Sequence, residues 1–365
     1  MSQVRTAQVR PAEVRTAEVR TAEVRTVGPG ESIQRALDEA GPGASVVLTE
    51  GTYTESVWIR HGGVSLTGAG PGRTVLAPGG GVPADVPRLH DATEDVVSGV
   101  TVFGDAVAGV RVEGLTVAGF TGAGVYAHSV AGVSVRDVEA RGNAVWGVYL
   151  RESSGCEVTG CRASGSQYGG VALSFCPDSD GLVADNETTA NAFGIFIDNS
   201  SGTRVVRNDC HGNAIGMLLL NQVYEGEPAG GVRDCLVAGN DLHGNDLAAG
   251  AEPDGLGAAG PPISGVGLAL IGTHRVTVVD NHIHDNHPSG ESVMGAGFVI
   301  GSSKDWGGDD ALDNHVLWNR ITGNTPLDFQ LGADLARQTC AGNVAGKGDP
   351  AELLDRDDAA GGWRR

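Results

Sequence analysis

Four chemically different side chains recur at one position of a repeated strand. His128, Arg151, Ser174 and Asp198 each end a glycine-led pentad: GVYAH, GVYLR, GVALS and GIFID, starting at Gly124, Gly147, Gly170 and Gly194. Alternate residues of a strand face opposite sides. Val125, Ala127, Val148, Leu150, Ile195 and Ile197 therefore point inward, and the pentad-ending residues point outward. A histidine moves protons near neutral pH. An arginine clamps a carboxylate and stabilises an enolate-like intermediate. Two residues earlier, a second outward column reads Trp58, Thr101, Tyr126, Tyr149, Ala172, Phe196, Leu218. Rings in such a column stack on sugars and on flat apolar ligands. The candidate catalytic residues are thus His128, Arg151, Tyr126, Tyr149 and Asp198. The candidate substrate-binding residues are Phe103, Ser174, Phe196, Leu218 and, from an insertion, Trp306. The alternative reading of the stripe is a second small core beneath inserted loops.

These columns require a solenoid. The pentads return about every 22 residues, and later copies start at Gly216, Gly267 and Gly297. Asparagines recur five apart in step with them: Asn186 and Asn191, Asn208 and Asn213, Asn240 and Asn245, Asn281 and Asn286, Asn319 and Asn324. Stacked rungs lie about 4.8 Å apart, so equivalent amides can form ladders that satisfy turn backbone. The 365-residue length then needs no division into several cores, because a solenoid grows along one axis. Ahead of the rungs, residues 31–40 (ESIQRALDEA) predict a short amphipathic helix with Ile33, Ala36 and Leu37 on one face, stopped by Gly41-Pro42-Gly43. A helix there covers the open end of a β-solenoid. Residues 1–26, built from pentapeptides such as EVRTA, predict a low-complexity arm without fixed structure. The body is expected over 27–345, with a tail over 346–365. Insertions at 221–231, 246–265, 287–296 and 302–312 flank the glycine-led strands. Insertions in solenoids gather on the binding face, which makes the glycine-led face the candidate functional face.

Two further groups compete with it. His211, His243 and His284 each precede the second turn asparagine by two residues and stack in register, with Asp209, Asp241 and His282 in the neighbouring column. Such a group is a weak candidate for Zn²⁺, Cu²⁺ or Ni²⁺; a solvated polar face is the alternative, and no metal site is assigned. Acidic residues in the insertions (Asp178, Asp180, Glu225, Glu227, Asp305, Asp309 and Asp310) form the other group. Turn-forming surface acids are their alternative reading.

The segment GPGESIQRALDEAGPGASVVLTEGTYTESVWI and the N-x4-N-x(2–3)-G repeats resemble the pectin-lyase-like superfamily of right-handed parallel β-helix proteins, in particular its NosD-like, parallel-β-helix-repeat group. The resemblance spans roughly residues 27–345. It implies an all-β, right-handed parallel β-helix with a short N-terminal capping helix. The superfamily includes polysaccharide lyases, glycoside hydrolases, uronan epimerases and non-catalytic proteins. Arg151 and Asp198 can imitate the arginine and the Ca²⁺-binding aspartates of pectate lyases, so Ca²⁺ is the one cofactor the resemblance leaves open. Asp309-Asp310 is similar to the paired aspartates of polygalacturonases, but their NTD, GHG and RIK motifs and the Asp-Pro-His motif of uronan epimerases are absent.

The formal net charge of −20, with Lys304 and Lys347 the only lysines, argues against nucleic-acid and anionic-membrane partners. No apolar run is long enough for a membrane span. The N-terminus as written lacks the apolar core of a signal peptide, which points to the cytoplasm. The six cysteines fall mostly in strand patterns and are expected to be free thiols in the core. The expected function is acid–base proton abstraction in a groove on the glycine-led face, acting on a carbohydrate in the manner of a lyase or epimerase. An intracellular isomerase or cyclase for an apolar small molecule, and a non-catalytic binding or scaffold solenoid, are the alternatives. The oligomeric state is left open.

Overall fold

The computed structural model describes residues 23–353 apart from 81, 84, 88, 90–95, 105, 224, 229 and 251–259. The chain winds as a parallel β-helix whose rungs each contribute strands to three faces. The first two faces join through the long strands Arg111–Ala118 and Ser134–Arg141, which run round the corner between them. The third face is an 11-stranded parallel sheet made of the glycine-led strands. Its register is the expected one: Tyr126 pairs with Tyr149, Ala172 and Phe196 in turn, and His128 with Arg151, Ser174 and Asp198. Val125, Val148, Val171, Ile195, Leu219, Leu270 and Ile300 fill the interior.

Two local devices hold the register. The first is the leading glycine. A Cβ at Gly147 would lie 2.4 Å from the carbonyl oxygen of Gly170, and one at Gly194 would lie 2.4 Å from that of Gly216 and 2.9 Å from the Asn213 amide. Only a residue without a side chain lets consecutive rungs approach there. The second device is a pair of asparagine ladders. Asn186, Asn208, Asn240, Asn281, Asn319 and Asn343 pass hydrogen bonds along one corner, each Oδ1 after the first accepting from the backbone N–H and Nδ2 of the asparagine on the rung before. The other ladder runs Asn191, Asn213, Asn245, Asn286 and Asn324 and ends on the Asp328 carboxylate. The residue ahead of most ladder asparagines has positive φ, as Asp185, Arg207, Asp280 and Asp285 do. Each such corner exposes backbone groups that the asparagine satisfies.

The capping helix spans Ile33–Glu39 and buries Ile33, Ala36 and Leu37. Ser32 Oγ accepts from Arg35 N at 3.1 Å, and Glu55 Oε1 accepts from Ile33 N at 2.5 Å. The body extends beyond its expected limits at both ends. Val24–Val27 pairs with Ser45–Leu48, so the last pentapeptide is a strand rather than part of an arm; Val27 is buried and Arg25 is paired with Glu39. At the other end Gly348–Asp349 continues the third face, and Leu353 is buried on a short turn. The remainder of the expected arm (1–22), the end of the tail (354–365) and part of the 246–265 insertion lie outside the described residues. All six cysteines are buried and none is in a disulfide; burial pushes the thiols of Cys156, Cys161, Cys176, Cys210 and Cys235 up, to about 12 for Cys161 and Cys210. They are core atoms rather than nucleophiles. Among the described residues no helix is long and apolar enough to cross a membrane.

Candidate functional site

On the third face the outward columns are covered. Tyr126 has no exposed surface, and Tyr149, Phe196 and Leu218 are also buried. Together with Trp146, Ala172, Ala269 and Val299 they form a second apolar cluster. Its cover comes from Leu89 and Val96 ahead of the third-face strand Val100–Val102, from Ile263, and from Met294. An open aromatic groove is therefore replaced by a buried seam. Outward strand residues that are large and apolar need a roof, and the insertions supply it. The rings stack on one another instead of facing open space for a ligand: Phe103 on His128 at 5.3 Å, Tyr126 on Tyr149 at 5.6 Å, Trp146 on Phe196 at 6.0 Å between centroids.

The polar column forms a network around Arg151, which is 2 % exposed. Its Nε donates to Glu152 Oε1 at 3.0 Å, its Nη2 donates to Glu227 of the 221–231 insertion, and its guanidinium lies 4.6 Å over the Phe175 ring. Glu152 Oε1 also lies 3.3 Å from His128 Nε2. Burial raises the Tyr149 hydroxyl to about 12 although Arg151 and Ser174, both bonded to it, oppose the shift. Tyr149 thus keeps its proton across the physiological range. Asp198 is buried and adds to the same shift. The structure brings His128, Tyr149, Arg151, Ser174 and Asp198 onto consecutive rungs. It leaves Trp306 outside: its side chain is 44 % exposed, and its backbone carbonyl accepts from Val223 N at 3.2 Å, tying the 302–312 and 221–231 insertions together.

Sequence reasoning missed Glu152 and Phe175, which follow the pentads in positive-φ turns, and it did not single out Glu227 among the insertion acids. The other insertion acids do not converge as a catalytic pair. Asp309 Oδ2 lies 3.1 Å from His274 Nε2, Asp310 is bound by Lys304 and Ser302, and Asp178, Asp180, Glu225 and Asp305 are exposed.

The second face stays open. His211, His243 and His284 stack with centroids 5.2 and 5.1 Å apart and planes 15° and 13° from parallel. These three imidazoles sit one per rung, and their ring nitrogens do not gather as one group of donors. Among the described residues, the side chains whose donor atoms gather within 4.8 Å of one another are Asp241, His282 and His284. Burial, and then the neighbouring His284, hold the His282 imidazole below its ordinary 6.5. An open groove of about 620 Å³ lies elsewhere, on the first face near Ser45, Ser65, Arg111, Ser134, Arg136 and Glu157; it is a flat polar pleat without aromatic walls.

Residues 121–325 match the family model for the right-handed beta helix region. The chain belongs to this family, as the pectin-lyase-like resemblance implied. Among solved structures, the β-helix is similar to the A-module of Azotobacter vinelandii mannuronan C-5 epimerase AlgE4 (18% identity, 88% of this chain and 93% of that one, TM-score 0.60). It is similar to the A-module of the AlgE6 epimerase of the same organism (19% identity, 85% and 88%, TM-score 0.59). It is also similar to the Dettilon tailspike protein (15% identity, 90% and 60%, TM-score 0.57). At these identities the likeness is one of fold. None of the curated proteins matches the chain.

Proposed function

We propose that this β-helix is an enzyme that abstracts a proton beside the carboxylate of an acidic carbohydrate, as a lyase or an epimerase, at the Tyr149–Arg151 network. The observation that carries the reading is the pairing of buried Arg151 with Glu227, a carboxylate supplied by an insertion. A uronate carboxylate is the chemical equivalent of Glu227 and can take its place on the guanidinium. Pairing with Arg151 then stabilises the charge that builds on the carboxylate as the adjacent C–H bond breaks. His128, beside Glu152, is the base that removes the proton. Tyr149, protonated up to about pH 12, is the acid. It returns a proton to carbon from the opposite side in an epimerase, or to the departing glycosidic oxygen in a lyase. Phe103, half-buried and stacked on His128, supplies a ring face for a sugar, and the epimerase names of two structural neighbours favour a carbohydrate. Ca²⁺ fits poorly at Asp198, whose neighbours in register are Ser174 and Leu220, because Ca²⁺ takes six to eight oxygens; no step uses it.

The complete burial of Tyr126 and its cluster favours a second reading, a non-catalytic solenoid whose aromatic seam only anchors the loops. One experiment separates the two. The full chain is incubated in D₂O with mannuronan, guluronan and polygalacturonate oligosaccharides, and the products are read by NMR. Deuterium at the carbon beside the carboxylate, or an unsaturated non-reducing end, lost in Arg151→Ala, supports the enzyme. No exchange and no unsaturated product with any of the three uronans sinks it.

A further inference from the structure

The second face carries a feature independent of the glycine-led site. Three consecutive rungs there, Asp209–His211, Asp241–His243 and His282–His284, bury only their central residues, Cys210, Leu242 and Ile283. The register stacks Asp209, Asp241 and His282 in one column and His211, His243 and His284 in the next. Each imidazole of the second column leans back on a carboxylate of the preceding rung. His211 Nε2 lies 3.4 Å from Glu187 Oε1, His243 Nε2 lies 3.2 Å from Asp209 Oδ1, and His284 Nε2 lies 3.0 Å from Asp241 Oδ1. The last rung breaks the pattern, because the residue in register with Asp241 is His282 and not another acid. His282 Nδ1 lies 3.5 Å from the same Asp241 oxygen, and its ring stacks on His284 with centroids 3.8 Å apart, so an ion shared by both imidazoles requires the His282 ring, 41 % exposed, to turn out of that stack.

We propose that Asp241, His282 and His284 form a binding site for a divalent transition-metal ion of the Zn²⁺ type. Bonds of about 2.0–2.1 Å in a tetrahedral site imply donor–donor edges of roughly 3.3 Å. The two Asp241 edges, 3.0 and 3.5 Å, bracket that value, and all three donor atoms lie within 4.8 Å of one another. The second ring nitrogen of His284 adds an independent indication: its Nδ1 lies 2.8 Å from Asp285 Oδ2. A carboxylate behind a histidine fixes the tautomer and leaves Nε2 as the donor, the usual outer partnership of a metal-bound imidazole. Asp285 occupies a positive-φ corner, so the fold itself sets this carboxylate next to the ring. His243 stacks behind His284 and limits its rotation. Two imidazoles and one carboxylate select Zn²⁺, Co²⁺, Ni²⁺ or Cu²⁺ over Ca²⁺ or Mg²⁺. The side chains remain 41, 49 and 21 % exposed at His282, Asp241 and His284, which leaves the fourth position open to water or to a ligand.

The test uses the untagged full chain, stripped with a chelator and titrated with Co²⁺, then Zn²⁺. The expected result is one equivalent of Co²⁺ with the intense visible bands of four-coordinate cobalt, displaced by Zn²⁺. His282→Gln and His284→Gln should each weaken binding at least about 100-fold, and Asp285→Asn by roughly 10–100-fold. His211→Gln, one column-mate away from the cluster, should bind as the parent does. Circular dichroism and the thermal midpoint of each variant report that it is folded. The proposal is overturned if the parent takes up no Co²⁺ in a four-coordinate spectrum, or if the folded His282→Gln and His284→Gln variants bind it as tightly as the parent.

Discussion

The glycine-led face and the second face use the same unit, a short parallel strand with its middle or alternate residues in the core, yet they end in opposite environments. On the glycine-led face the outward residues are Tyr126, Tyr149, Arg151 and Phe196, and all are buried. On the second face they are Asp209, His211, Asp241, His243, His282 and His284, and all are at least partly solvated. Loops account for the difference. Long insertions follow or precede the glycine-led strands and fold back over them, while the second-face strands are joined by corners of a few residues that have nothing to fold back. A roof makes outward aromatics favourable and turns one arginine into a buried charge that must be paired. Without a roof, only side chains that tolerate water persist, and their columns remain available to ions.

This contrast can be broken at its most dependent point. Arg151→Ala leaves Glu227 and Glu152 without their cation beneath the loops, and is expected to abolish turnover of any uronate substrate and to cost about 3–5 kcal/mol of stability, read from chemical denaturation. The ladder between the faces comes next. Asn213→Ala strands the Asn191 backbone N–H and amide, both now bound at 3.1 Å. It should cost ~3 kcal/mol, whereas His211→Ala two residues earlier, on the open face, should stay within about 0.5 kcal/mol. An equal loss in both would mean that the open face is not open.

Tyr149 sharpens the comparison through pH. Its hydroxyl is raised from 10.0 to about 12. The neutral form is favoured in the fold, so the stabilisation is complete below pH 10 and is lost as pH climbs to about 12. That interval is worth about 3 kcal/mol. Tyr149→Phe should lack this part of the alkaline decline when denaturation midpoints are compared across that window. The smallest effect belongs to the corners. Hydrogen bonds from Arg207, Arg275 and Arg337 hold Asp185, Asp234 and Asp313 below their ordinary 3.8. Their contribution is present above that value and disappears as pH falls through the depressed one. Because these pairs are exposed, added salt should erase the acid-side difference between the parent and Arg207→Ala.

Much of the molecule was legible in its residues. The leading glycines, the five-spaced asparagines and the apolar alternation were enough to place Tyr149 beside Tyr126 and Arg151 beside His128, because solenoid register is a nearest-neighbour property repeated at every rung. The ends were less legible. Val24–Val27 reads like the pentapeptides before it, and only pairing with Ser45–Leu48 makes it a strand. The metal candidates were legible as columns but not as a group. His211 and His243 each bring one imidazole to their rung, whereas His282, standing where the earlier rungs carry an acid, puts two imidazoles of one rung beside Asp241.

By itself, then, the sequence determined the β-helix, its register and the chemical content of each column, since each of these follows from contacts between one rung and the next. Only the tertiary structure decided which columns are covered and which charges meet. Glu227 reaches Arg151 across 76 residues, and His284 reaches Asp241 across 43. Such contacts depend on how an aperiodic loop folds back or how a side chain leans at a corner, and no repeat encodes either.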